Sequence, residues 1–208
     1  MILVIDHGYG NIGSLNNALD YLGLPHHLIK DGNTFSDDLG ATGFILPGVG
    51  TFDEAMSSLQ SRKLDIVINR LHNNGVRGLG ICLGMQLLCE GSDEGGSTKK
   101  GLSFFKGNVK KLNPQEGFVP NIGWSNTNPT EASPDLLKTI LNNAFYYIHS
   151  YAFEPTEPNE VIATYKRGCT NISSAIYKNN LMGVQFHPEK SQKAGLSLIQ
   201  NYFVDQPI

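Results

Sequence analysis

Residues 76–90, Val-Arg-Gly-Leu-Gly-Ile-Cys-Leu-Gly-Met-Gln-Leu-Leu-Cys-Glu, constrain this chain more than any other stretch. The first half has the apolar run of a buried strand, and the second half reads as a helix. Cys82 lies at the joint, between Gly80 and Gly84. A side chain on a sharp strand-to-helix turn stands above the sheet edge, and small neighbours permit the tight backbone. Hydrolytic enzymes use the same device with serine, as Gly-x-Ser-x-Gly. The free N–H groups at the helix start favour a thiolate at Cys82. A cysteine ending a core strand is by default a small apolar residue; the flanking glycines favour a nucleophile, with its side chain exposed and packing little.

A cysteine nucleophile needs a base, and the base needs a group to orient it. His187-Pro188-Glu189 supplies both, at the end of an apolar stretch, Met182 to Phe186. Pro188 holds His187 extended. Residues two apart in an extended chain share a face, so Glu189 can reach the far nitrogen of His187. By itself this would be a solvated turn; beside a nucleophile elbow it becomes a candidate base and orienter. Acyl chemistry also needs donors for an oxyanion. Gly48, Val49 and Gly50 follow an apolar strand and can aim N–H groups near Cys82, and Leu83 N–H is the second natural donor.

Several strands precede the elbow. Ile2 to Ile5 reads as a central strand, followed by a Gly-rich turn and a helix from about Ser14 to Leu22. Gly8, Gly10 and Gly13 form G-x-G-x-x-G, but no acidic residue closes a following strand as a dinucleotide site requires. Pro25 to Ile29 is the second strand. His26 and His27 on it face opposite ways and are poorly placed to chelate one ion. Gly43 to Leu46 is the third, and a helix from Phe52 to about Leu71 follows. From Gly91 onward short segments alternate with Gly, Pro and Asn, as expected of antiparallel strands and loops. Phe145 to Phe153, Val161 to Tyr165, Ser174 to Tyr177 and Met182 to Phe186 read as strands, and Ser191 to Phe203 as a last helix. No linker or repeat divides residues 1–208, so one domain is expected, with a parallel sheet first and mixed strands after it.

The totals exclude some classes. A net charge of −3 carries no basic field for nucleic acid. No apolar run is long enough to span a bilayer, and the N-terminus lacks the basic region of a signal peptide. Three cysteines without a C-x-x-C pair argue against a disulfide framework or a zinc site. Cys82 and Cys89, on one helix, stand about 10 Å apart, too far to bridge. A reducing cytoplasm fits, and neither metal nor cofactor is expected.

Gly-Ile-Cys-Leu-Gly-Met-Gln at 80–86, Pro-Gly-Val-Gly at 47–50 and Gly-Val-Gln-Phe-His-Pro-Glu-Lys-Ser at 183–191 resemble the class I, triad-type glutamine amidotransferases. Within that group the chain is similar to the glutaminase subunits of imidazole glycerol phosphate synthases. The features in common are the Asp-x-Gly-x-Gly-Asn opening, Pro-x-x-Gly-Trp at 120–124 and Ile-His-Ser-Tyr at 148–151, and the likeness spans the whole chain. It implies an α/β, flavodoxin-like, mainly parallel sheet flanked by helices, with additional antiparallel or mixed strands. It implies hydrolysis of the glutamine side-chain amide through a thioester on Cys82, with His187 as base and then acid and Glu189 as orienter. Gln86, Glu94, His149, Ser150 and Tyr151 would surround the glutamine. Glu94 would meet its ammonium, while His149 has the look of a structural residue. Ammonia would pass to a separate (β/α)₈ cyclase subunit making imidazole glycerol phosphate and AICAR for histidine biosynthesis. Asn11, Ser14, Trp124 and Lys190 would lie at that heterodimer interface, although the lone Trp suits a core position equally. There are departures. Asn121-Ile122 stand where the family usually has His-Met, Ser125 stands for Asn, and His7 stands where Tyr is common. These leave open a paralogue feeding a related synthase, for example in surface-sugar modification. A cysteine hydrolase of related α/β fold is a further alternative.

Overall fold

The computed structural model describes residues 1–96 and 99–204. Strand β1 (Ile2–Ile5) is buried at all four positions, as the apolar run requires. Helix α1 (Ile12–Tyr21) follows the glycine turn. Then come β2 (His26–Ile29), β3 (Gly43–Leu46), α2 (Phe52–Ser61), α3 (Leu64–Asn73), β4 (Arg77–Ile81) and α4 (Leu83–Leu87). The second half holds β5 (Cys89–Ser92), β6 (Lys99–Lys100), β7 (Phe105–Lys111), β8 (Asn121–Pro129) and α5 (Asp135–Leu141). It ends with β9 (Ala144–His149), β10 (Tyr151–Pro155), β11 (Val161–Arg167), β12 (Thr170–Lys178), β13 (Leu181–Val184) and α6 (Gln192–Phe203).

One sheet has nine strands in the order β2-β1-β3-β4-β13-β12-β11-β8-β9. Its pairs are parallel from β2 through β13 and antiparallel from β13 to β9. A second, four-stranded sheet runs β10-β7-β5-β6. Alternate residues of β1 serve opposite layers. Leu3 and Ile5 pack with residues of α2 and α3, and Ile2 and Val4 with those of α1 and α6. An α/β sheet flanked by helices, parallel through its first half and mixed in the second, is thus the architecture expected. The chain leaves β1 for β2 on one side and reaches β3 on the other. In such open sheets the crevice beyond the carboxyl ends at this reversal is where ligands bind. Four segments meet there: residues 6–10 after β1, 47–50 after β3, Cys82 after β4, and 185–189 after β13.

Several local expectations change. The helix expected over Phe52–Leu71 is two helices, parted at Lys63, which turns left-handed at φ 54°. Buried positions 52, 55, 56 and 59 give way to 64, 67, 68 and 71, so the apolar stripe slips phase between them. The Arg62 carbonyl at the break accepts the Gly32 N–H at 2.7 Å. Cys89 is not on the elbow helix: α4 ends at Leu87, and Cys89 opens β5, fully buried. Desolvation holds its thiol well above the usual range. The single strand expected from Phe145 to Phe153 breaks at Ser150, with β9 in the large sheet and β10 in the small one. Helix α5 was not anticipated, although Leu137 and Leu141 at helical spacing bury its inner face. Among the described residues, no helix is long and apolar enough to cross a membrane.

Candidate active site

The elbow is built as its sequence suggested, but the glycines act by closeness. A Cβ on Gly84 would stand 1.8 Å from the Leu46 carbonyl oxygen, and one on Gly80 would stand 2.8 Å from that of Gly84. These positions let α4 press onto the sheet. The unfavourable backbone falls on Cys82 itself, at φ 54° and ψ −110°. A non-glycine residue held there stores about 1–3 kcal/mol, and such strain concentrates at functional sites. The Cys82 N–H donates to Val184 O at 2.8 Å. The side chain is only 6% exposed and touches the core, which differs from the projecting thiol expected. The sheet and the β9–β10 bend close over it, and the sulfur sits on a pocket floor.

His187 comes from the segment after β13, the parallel neighbour of β4. Its Nδ1 pairs with Glu189 Oε1 at 2.8 Å, and both side chains are buried. A carboxylate oxygen only accepts, so Nδ1 carries the proton and Nε2 is left for chemistry. Burial by itself lowers the His187 pKa, but hydrogen bonding and charge from Cys82 and Glu189 outweigh it and push it up to about 10. The Ser191 hydroxyl donates to the His187 carbonyl at 2.6 Å, holding the turn.

A cavity of about 270 Å³ lies over Cys82 and His187. Leu83 and Gln86 of the elbow, Val49 and Gly50 of the loop after β3, Glu94, and His149, Ser150 and Tyr151 of the β9–β10 bend line it. Pro120 and Ile148 complete it. Every residue expected around a substrate is therefore on this pocket. Gln86 is committed, with Nε2 donating to Tyr151 O at 2.9 Å and to Gln185 Oε1 at 3.0 Å. Glu94 Oε2 accepts from the Phe52 N–H at the start of α2 at 2.7 Å. His149 is held on both sides: a 2.8 Å bond joins Nδ1 to Tyr151 O, and a 3.0 Å bond joins Nε2 to the Tyr165 hydroxyl. The carbonyl fixes Nδ1 as donor, and burial pushes the His149 pKa down to about 4. It is a neutral strut under the bend.

The oxyanion loop differs from its expected pose. The Val49 N–H donates to Tyr9 O at 2.9 Å and is turned away from the sulfur. Gly48 does not line the cavity; a Cβ there would stand 3.0 Å from Leu83 Cβ and Gly84 N. Leu83 N–H, the first of α4, has no intrahelical acceptor and remains a donor beside Cys82. The expected interface residues also stand off the cavity. Asn11 caps α1, with its side chain accepting from Ser14 N. Lys190 is exposed. Trp124 is 49% exposed on β8, which removes it from the core.

Sequence reasoning passed over Gln185. Its side chain is fully buried, its Nε2 donates to Cys82 Sγ at 3.7 Å, and its Oε1 holds Gln86. The signal was there, since Gln185 and His187 share a face of one extended segment.

A strained cysteine under a small pocket, with a buried histidine–glutamate pair after the neighbouring parallel strand, is the set of groups that cysteine-dependent acyl-transfer enzymes use. The class-I glutamine amidotransferase family matches residues 3–206. The imidazole glycerol phosphate synthase subunit HisH of Listeria innocua is 41% identical over 203 residues, spanning 97% of this chain and 94% of its own. HisH of Bacillus subtilis is 39% identical over 207 residues, with 97% and 95% covered. The chain belongs to the class-I glutamine amidotransferases, and within them to the HisH subunits. Two solved structures share the fold. A PurLQS structure from Thermotoga maritima aligns at TM-score 0.71 with 16% identity, covering 97% of this chain and 96% of that one. A glutamine amidotransferase from Thermotoga maritima aligns at 0.63 with 14% identity, covering 97% and 81%.

Proposed function

We propose that Cys82, His187 and Glu189 hydrolyse the side-chain amide of glutamine and that the ammonia goes to a separate (β/α)₈ synthase subunit. The buried His187–Glu189 pair beneath the pocket that holds Cys82 is the observation that carries this. His187, whose charged form Cys82 and Glu189 favour, has already drawn the thiol proton onto Nε2, and Sγ attacks the amide carbon as the thiolate. The oxyanion that forms meets Leu83 N–H and, once the loop turns, a peptide N–H of residues 48–50. His187 returns its proton to the departing nitrogen, and ammonia leaves a glutamyl thioester. Water, deprotonated by His187, releases glutamate and restores the thiol. Glu189 keeps Nδ1–H in place throughout. Gln185 aims the sulfur, and Glu94 receives the substrate ammonium.

The partner reading rests on the outer face of the β8–β9 ribbon. Ile122 lies opposite Ile148 and Trp124 opposite Tyr146. Ile122, Trp124 and Ile148 are exposed, and Phe118 nearby in sequence is 95% exposed. Ile148 also lines the pocket, so the apolar face runs up to the site. A large aromatic side chain in such a patch suits an interface anchor. The compared relatives are HisH subunits, which favours a cyclase of histidine biosynthesis over a sugar-modifying synthase as the acceptor. The test is glutamate release by the full chain, alone and with each candidate synthase subunit. Stimulation by the cyclase, lost in Trp124→Ala at limiting partner, is expected. Glutamate release undiminished in Cys82→Ser would sink the chemistry. Stimulation only by a sugar-modifying synthase would reassign the acceptor.

A further inference from the structure

His7, at the end of β1, takes no part in the chemistry above, yet it is 1% exposed and bonded to the oxyanion loop. Its Nε2 lies 2.8 Å from Pro47 O. A carbonyl only accepts, so Nε2 carries the hydrogen and donates. Proline has no N–H, so its carbonyl is the one backbone polar group by which Pro47 can be held. Two residues on, the Tyr9 carbonyl takes the Val49 N–H. Residues 7–9 thus grip the loop at two points, one either side of Gly48.

The grip is itself braced by α2. The Ser58 hydroxyl donates to His7 O at 2.5 Å. Arg62 Nη1 lies 3.5 Å from Asp6 O, and a Cβ on Gly8 would stand 3.1 Å from Arg62 Nη2. Gly8 has φ +91°, so this close approach and this backbone both call for glycine. Burial lowers the His7 pKa; the hydrogen bond to Pro47 and nearby Asp6 oppose this, and Arg62 adds to it. The donor to Pro47 is the same hydrogen in either charge state.

The two grips differ in what catalysis asks of them. Turning the Gly48–Val49 peptide toward Cys82 breaks the Val49–Tyr9 bond but need not disturb the His7–Pro47 bond. Pro47 can stay fixed while the next peptide rotates. We propose that His7 is a positioning residue: it pins the Pro47 carbonyl as the pivot about which the oxyanion peptide turns, so that the turned N–H arrives aimed at the developing charge. This rests on the reading of Cys82 as nucleophile and of residues 48–50 as oxyanion donors. A freed Pro47 would share the rotation between two peptides, and the donor would arrive misaligned. The reaction would lose transition-state stabilisation with substrate binding intact.

The test uses the full chain, with His7→Phe to remove the donor at similar bulk and His7→Gln to restore an N–H near the Nε2 position. Three quantities are followed: glutamine turnover, alkylation of Cys82 by iodoacetamide, and amide exchange at Val49. Alkylation is a direct displacement that needs no oxyanion donor, so it reports the sulfur alone. His7→Phe is expected to lower kcat about tenfold, with KM and the alkylation rate each within about twofold of wild type. Val49 exchange should quicken at least about fivefold. His7→Gln should recover most of both losses. Unchanged kcat or unchanged exchange in His7→Phe would overturn the proposal. So would alkylation falling in step with kcat, which would mean general damage to the site, or a glutamine variant no better than phenylalanine. Failure of the underlying reading looks different: Cys82→Ser, run in parallel, would retain turnover.

Discussion

Replacing Val49 with glycine should wake the isolated chain. In the resting structure the Val49 N–H is spent on Tyr9 O. Turning the Gly48–Val49 peptide is absorbed by ψ of Gly48 and φ of Val49, which swings valine toward positive φ. Glycine accepts that freely, and a β-branched residue does so poorly. The lost hydrogen bond costs about 1 kcal/mol net, and the strained valine costs about 1–3 kcal/mol. Their sum, about 2–4 kcal/mol, leaves the turned state at roughly 3% down to 0.1% of molecules. A partner that binds the turned state better would draw on that reserve. Val49→Gly removes the valine part only, so basal glutamate release should rise at least about fivefold, with Val49→Ala between the two. The assay is glutamate release by the full chain without partner, beside thermal melting to exclude a loosened fold. High wild-type activity would refute the gating. Low activity unchanged in both variants would remove the valine as its cause.

Three further outcomes follow from the site. Cys82→Ala should abolish glutamate release while Tm stays within a few degrees, because the strained elbow loses a small side chain whose bonds to Gln185 and Ile148 are long, each 3.7 Å; gross unfolding would make Cys82 a core residue first. His187→Asn should cost on the order of 10²-fold or more in kcat, and Glu189→Gln less, because the carboxylate orients the ring but moves no proton; equal wild-type rates for both would dissolve the triad. His149 titrates at about 4 when folded against 6.5 unfolded, so the unfolded chain binds the extra proton between those values. Its share of stability is full above pH 6.5 and is lost as pH falls toward 4, up to about 3 kcal/mol. Urea midpoints across that range should flatten in His149→Gln, and a slope identical to wild type would reject the assignment.

The elbow, the His-x-Glu run and the parallel β1–β3–β4 core were legible because each is written in contiguous residues. A four-residue apolar run, two glycines about a cysteine, and two side chains sharing a face of an extended segment need no long-range information. The helix break at Lys63 was half legible, as a slip in the apolar stripe that becomes visible only once the break is known. Gln185 stayed hidden, and Glu94 and residues 149–151 came only from the family resemblance, because their placement depends on partners distant in sequence. Gln185 meets Cys82 from 103 residues away, and Glu94 meets Phe52 from 42. His149, Ser150 and Tyr151 share the pocket because β9 and β10 join different sheets, a choice made by pairing with β8 and β7 rather than by their own residues. Trp124 lies outside the core because its side of the β8–β9 ribbon has no layer packed on it. The sequence determined which groups are the candidates for the chemistry, since chemistry belongs to residue types at short spacing. Tertiary structure decided which N–H each carbonyl holds, and so whether the Val49 peptide rests toward the sulfur or away from it. That balance is set by bonds from residues 7–9, some 40 positions distant, and a difference of a few kcal/mol between two loop poses leaves no mark in residue spacing.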